Sequence, residues 1–157
     1  VLAFLQLNVT PPKRFAGNDP QRVVADGLGV VHLSAKVARI YGPSIIFEST
    51  FENVGWWSDP ADHVTWEFEI EQAGRYDVEL DFASADGASG GRYEIEVGAQ
   101  RIEERVAGTG TWDDYAQVSV GILELPAGHH LLTMRPIGPI ESALIDLRTI
   151  RLKPRGD

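Results

Sequence analysis

The sequence predicts an all-β domain, a jelly-roll β-sandwich of two antiparallel sheets with a short irregular N-terminal extension. Apolar side chains recur at every second position along most of the chain beyond residue 28, the pattern of strands with one face on a core and the other in water. Turn formers break these runs at intervals of roughly 8–12 residues, as an antiparallel sandwich requires. No long helical period and no internal repeat interrupts them.

The elements follow in chain order. Val1-Leu-Ala-Phe-Leu-Gln-Leu7 is apolar without alternation and reads as the end of a preceding helix. In Thr10–Pro20, three prolines and a glycine prevent regular structure, so residues 1–28 are expected to be that helix end plus a linker laid against a domain, with Phe15 as an anchor. The sandwich is expected over 29–157. Val31, Leu33, Ala35 and Val37 alternate with polar residues, as do Val64, Trp66, Phe68 and Ile70. Tyr76 to Phe82 and Tyr93 to Val97 repeat the pattern, and later strands are expected near 116–125, 131–135 and 143–152. Asp59-Pro60, Ala73-Gly74, Asp86-Gly87, Gly98-Ala99 and Pro126-Ala-Gly128 supply the turns. About eight or nine strands in one domain suit a jelly roll.

Composition narrows the function. The 157 residues carry 43% hydrophobic side chains, enough for one core. No apolar run approaches the ~18–20 residues that span a bilayer. A net charge of -9 argues against nucleic acid and anionic membrane surfaces, which demand a basic face. Without cysteine there is no disulfide, no thiolate metal site and no attachment point for haem in this chain. The chain begins with Val and shows no signal-peptide pattern, so it is expected to be part of a longer protein. Its four histidines lack metal-ligand spacing, and neither a nucleophile elbow nor a phosphate-binding glycine loop is present. Asp113 and Asp114 are neighbours that face opposite ways on an extended chain, unsuited to flanking one glycosidic bond. The chain reads as non-enzymatic.

The candidate site is aromatic. Asn53-Val-Gly-Trp-Trp-Ser-Asp-Pro60 and Thr109-Gly-Thr-Trp-Asp-Asp-Tyr115 each set indoles among turn residues beside a strand. Indole area outside a core suits a planar partner with an apolar face, and a pyranose ring offers one. Burying ~100 Å² at ~25 cal/mol/Å² is worth about 2–3 kcal/mol before ordering costs. Trp56 and Trp57 are adjacent, so on an extended chain one faces out and the other packs beneath. Asn53, Asp113, Asp114 and the Tyr115 hydroxyl are the nearby groups able to orient a ligand's hydroxyls. Trp66 lies on the inward register and is core.

A succession of phrases carries a family resemblance: Asn53-Val-Gly-Trp56, Asp62-His-Val-Thr-Trp66, Ala73-Gly-Arg-Tyr-Asp-Val78, Thr109-Gly-Thr-Trp112, Val120-Gly-Ile-Leu-Glu-Leu-Pro-Ala-Gly-His-His-Leu131 and Leu144-Ile-Asp-Leu147. In this order, residues 29–153 resemble the family 6-like carbohydrate-binding modules of the galactose-binding-like jelly rolls. Val1-Leu-Ala-Phe-Leu5, the linker, Ile40-Tyr-Gly-Pro43 and Gly55-Trp-Trp57 are also similar to the C-terminal region of planctomycete-type secreted dehydrogenase/cytochrome c proteins. The resemblance implies a non-catalytic module, extracellular or periplasmic, that tethers a larger redox protein to polysaccharide. It places haem only upstream of Val1. Trp56 and Trp112 match the two rings that flank a sugar, and Trp57, Asn53, Asp113 and Tyr115 complete the expected carbohydrate site. The alternative is an interaction domain that packs its Trp pair against neighbouring haem or dehydrogenase domains; a lectin-like module is a third reading. The family's structural calcium uses acidic first-strand positions, matched here by Ser34 and Lys36, and a last-strand Asp, matched by Asp146 or by a position near Ile150. A Lys36 ammonium paired with Asp146 in place of the ion is the expectation. Asp86-Gly-Ala-Ser-Gly-Gly91 is a weaker calcium candidate, read first as a flexible hairpin.

Overall fold

The computed structural model describes residues 10–156, so the expected helix end at Val1–Leu7 lies outside the described residues. Among the described residues, twelve strands run in chain order: β1 (Val23–Val24), β2 (Val31–Ser34), β3 (Arg39–Tyr41), β4 (Ile46–Glu48), β5 (Asn53–Gly55), β6 (His63–Ile70), β7 (Gly74–Ala83), β8 (Arg92–Val97), β9 (Gln100–Arg105), β10 (Ala116–Leu125), β11 (Gly128–Ile137) and β12 (Asp146–Pro154). One sheet has the order β1-β6-β11-β8-β9, with β3 also pairing β6. The other has the order β10-β7-β12-β5-β4, with β2 on β12. All pairings are antiparallel except the short β1–β6 pair.

Alternation builds the core as expected. Val64, Trp66, Phe68 and Ile70 of β6 are buried together with Val78, Leu80 and Phe82 of β7 and Leu147, Ile150 and Leu152 of β12. Trp66 is core, its indole N–H donating to the Ser34 carbonyl at 2.8 Å.

The first alternating run ends sooner than its pattern predicts. β2 stops at Ser34, and Ala35–Val37 turn as a short 3₁₀ helix. Asn18 accounts for this, because its Nδ2 donates to the carbonyls of Ala35, Lys36 and Ala38 at 3.2, 3.1 and 3.1 Å. A side-chain amide spanning three carbonyls offers the backbone a closed turn in place of a sheet ladder. The Pro-rich segment is held to the sandwich as well: Lys13 bridges Ile40, Phe15 packs on the core, and β1 joins β6. β4, β5 and β9 lie where the sequence shows no clear alternation. β9 is charged and mostly exposed, an edge strand that gains little from burial.

Four strand ends position the candidate site. Ala83 of β7 faces Asp146 of β12, Leu147 faces Val54 of β5, and Ala116 of β10 faces Phe82. The loops bearing the aromatic segments leave from this end of the second sheet.

Candidate functional site

Trp56 follows β5 directly and is 65% exposed. Its φ is +54°, the left-handed region that a bulky L-residue avoids at a cost of about 1–3 kcal/mol. The residues behind it impose this conformation. Trp57 is fully buried, its Nε1 donates to the Asp62 carbonyl at 2.9 Å, and its own carbonyl accepts from Leu144 N at 2.7 Å. Asp62 is also fully buried, and its carboxylate accepts the backbone N–H groups of Ser44, Ser58 and Asp59 at 3.0, 3.2 and 2.9 Å. Gly42, at φ +116°, leaves the space that Asp62 fills. The chain therefore turns sharply between Trp56 and Trp57, anchoring one indole and presenting the other. Trp57 is removed from the candidate ligand surface: its burial leaves no ring face to stack on.

The second aromatic segment is fastened separately. Thr109 N donates to the Ser84 carbonyl at 2.8 Å, and Gly110 N donates to Asp86 Oδ1 at 3.0 Å. Asp86 thus belongs to a short 3₁₀ turn tied to the neighbouring loop, in place of the expected flexible hairpin. Asp114 Oδ2 accepts from Thr111 N at 3.0 Å and Thr111 Oγ1 at 2.9 Å, which closes the turn and occupies Asp114. Trp112 is half-buried and Asp113 exposed at its tip. Trp56 is rooted on β5 and Trp112 on β10, three strand spacings apart, or about 14 Å at the level of the sheet. β7 and β12 lie between their strands.

Polar side chains of β4, β5 and β12 fill the stretch near Trp56. A Cβ built on Gly55 would overlap Glu48 Oε1 and lie 2.7 Å from Asp146 Oδ1 and 3.2 Å from Asn53 Nδ2. Only glycine leaves room for two carboxylates there. Asn53 is fully buried, contrary to the expectation that it meets ligand hydroxyls; its Nδ2 donates to Glu48 Oε1 at 3.0 Å and to the Val54 carbonyl at 3.3 Å. Burial, then Glu48, then Asp113 push the Asp146 carboxyl up to about 7. Burial and then Asp146 push the Tyr115 hydroxyl up to about 12. The Arg148 guanidinium lies 3.7 Å from the Tyr115 ring centre and its Nε donates to the Phe51 carbonyl at 3.3 Å. One face of Tyr115 is thereby covered.

Glu48, Phe51, Asp62 and Arg148 were not singled out by the sequence. Asp62 opens the segment Asp62–Trp66, three residues after Asp59 of an Asp-Pro turn, but nothing local tells a buried keystone from a solvated turn. Glu48 sits in a segment too short to show a period.

The residues matched to the family's calcium do not fit one. Strand pairing sets Thr149, not Asp146, opposite Ser34. Lys36 is exposed beyond the end of β2 and makes no ion pair with Asp146, which stands beside Glu48 instead. The expected Lys36–Asp146 pair is therefore corrected, because the turn at Ala35–Val37 takes Lys36 out of the strand's register. Two hydroxyls and an ammonium are a poor donor set for a hard cation. Among the described residues no three His, Asp or Glu side chains gather to hold a metal.

No family model and no curated protein matches the chain. Solved structures match its fold. A family 35 carbohydrate binding module from Clostridium thermocellum is 16% identical, with a TM-score of 0.67 over 80% of this chain and 98% of that one. The C-terminal family 6 module of LamC, a marine laminarinase from Zobellia galactanivorans, is 23% identical, with a TM-score of 0.64 over 79% and 98%. A Podospora anserina β-(1,4)-mannanase that carries a family 35 module is 17% identical with a TM-score of 0.66; 83% of this chain is covered, but only 28% of that one. The structural neighbours thus include family 35 and family 6 carbohydrate-binding modules, and the chain shares their two-sheet β-sandwich fold.

Proposed function

We propose that this domain is a non-catalytic glycan-binding module whose ligand stacks on Trp56. The observation that carries the reading is the 65% exposed indole held on left-handed backbone by a buried Trp57–Asp62 lock. A strained backbone that presents an apolar ring to water has no purpose in the core, and such strain collects at ligand sites. Trp112 and Asp113 lie further along the same end of the sheet, and Tyr115 and Asp146 supply polar groups between them. The fold shared with carbohydrate-binding modules supports the reading. In a longer secreted redox protein, a module of this kind raises the effective concentration of the attached catalyst at a polysaccharide even with millimolar affinity.

Affinity electrophoresis against a panel of soluble polysaccharides tests this, using the 157-residue chain beside Trp56→Ala and Trp112→Ala. Retardation by at least one polysaccharide, lost in Trp56→Ala at unchanged melting temperature, is the expected result. Absence of retardation across the panel would transfer Trp56 to the second reading, an interface with neighbouring domains, for which half-exposed Phe51 offers further apolar surface.

A further inference from the structure

We propose that the site takes a polysaccharide along its length, several linked sugars at a time, with Phe51 as a second stacking ring beside Trp56. This rests on the glycan reading above and assigns its ligand class: internal stretches of an extended chain, in place of a single terminal sugar.

The backbone around β5 leads to it. Among the described residues, Glu52 and Trp56 are the two that combine a side chain with left-handed backbone, at φ +54° each. They stand at the two ends of β5, and each end sets an aromatic ring on the surface: Phe51, next to Glu52, is 49% exposed, and Trp56 is 65% exposed. Strain of this kind collects at ligand sites. Phe51 is also fastened. Its N–H donates to the Glu48 carbonyl at 3.3 Å, and its own carbonyl accepts from Arg148 Nε at 3.3 Å. The Arg148 guanidinium is in turn held 3.7 Å from the Tyr115 ring centre. A ring on fixed backbone loses less freedom when a ligand covers it than one on a loose loop, so more of its stacking appears as affinity.

Contacts run from Phe51 to Trp56 without a gap. Arg148 touches both Phe51 and Tyr115, and Tyr115 senses the charges of Asp146 and Glu48. Those two carboxylates converge over Gly55, and Trp56 follows Gly55 in sequence. The groups between the two rings are therefore polar, and their oxygens can accept hydrogen bonds from sugar hydroxyls. A polysaccharide offers the matching alternation, apolar ring faces with hydroxyls between them. β5 stands between Phe51 and Trp56, and its three extended residues span about 7–10 Å. The two rings thus serve different sugars of one chain, and rings this exposed leave room for the chain to continue past each.

Calorimetric titration against chain length tests the assignment. The probes are β-1,4-glucan, β-1,4-mannan and β-1,3-glucan, each as the soluble polysaccharide and as its disaccharide and hexasaccharide. With at least one of these sugars, the hexasaccharide is expected to bind the wild-type chain at least about thirtyfold more tightly than the disaccharide; the five registers of a two-sugar site on a hexasaccharide supply only about fivefold by statistics. Phe51→Ala is expected to reduce the ratio to that statistical level, and Phe51→Tyr, which keeps the ring, to preserve it. Leu131→Ala, which removes an equally exposed apolar side chain from the other sheet, is expected to preserve it as well. A wild-type ratio no greater than the statistical one overturns the proposal, as does a larger ratio that survives Phe51→Ala. In either case, binding that is lost in Trp56→Ala leaves the glycan reading standing while the role of Phe51 fails. If none of the probes binds the folded protein, both fail. Melting curves establish that each variant is folded.

Discussion

Trp56 shows at single-residue scale how stability and function separate. Its left-handed backbone costs an L-residue about 1–3 kcal/mol, and its exposed ring recovers little of that from packing. Glycine has no penalty at such a φ, although it adds about 1 kcal/mol of chain entropy to the unfolded state. Trp56→Gly is therefore expected to melt at or above the wild-type temperature while losing polysaccharide retardation. A substantial fall in melting temperature would show that the indole supports the fold, and the ligand reading of Trp56 would lose its physical basis. The opposite outcome is expected for the next residue: Trp57→Ala opens a cavity in the core and costs about 3–5 kcal/mol in denaturant melts.

At the scale of elements, the loop between β5 and β6 is organised by one carboxylate. Asp62 accepts three backbone N–H groups from two different segments, and its carbonyl receives the Trp57 indole. Replacing it by alanine strands those donors in a buried site, and a loss of about 2–4 kcal/mol in chemical denaturation is expected. Asp62→Asn should lie between wild type and alanine, because an amide keeps one acceptor oxygen and turns a donor toward the remaining N–H groups. Equal stability of all three forms would remove Asp62 as the anchor of Trp56.

How far this was legible in the sequence follows from range. β6 and β7 alternate over whole strands because each has one face on the core and one in water, so the sheets and the inward Trp66 could be read directly. That one of Trp56 and Trp57 turns inward was also readable, since adjacent residues on a strand face opposite ways; which of them does so was not, because the answer lies in a hydrogen bond from Trp57 to the Asp62 carbonyl and one from Leu144 N to Trp57. The turn at Ala35–Val37 is set by Asn18, at the far end of a Pro-rich segment with no periodic signal. The carboxylate pair was least legible. Glu48 and Asp146 are nearly a hundred residues apart in sequence, and only the β4-β5-β12 order brings them to one glycine.

At the scale of the whole molecule, that pair links stability to pH. Asp146 ionises near 3.8 in its ordinary state and near 7 in the fold, raised by burial and then by Glu48 and Asp113. The groups that face it are Glu48 from β4, Asp113 and Tyr115 from the segment before β10, and Arg148 from β12; the arginine does not offset the carboxylates because it lies against Tyr115. Between those two pKa values the folded chain holds more protons than the unfolded chain, so the slope of unfolding free energy against pH is negative. The contribution of Asp146 is fully present below about pH 4 and is lost as pH rises through about 7. Asp146→Asn cannot ionise, so it is expected to match wild type at low pH and to melt higher above neutrality. The difference between the two melting curves should open across that window, with the other ionisable groups cancelling in the subtraction. If the curves stay parallel from acid to alkaline pH, the carboxylates over Gly55 do not interact as their convergence requires.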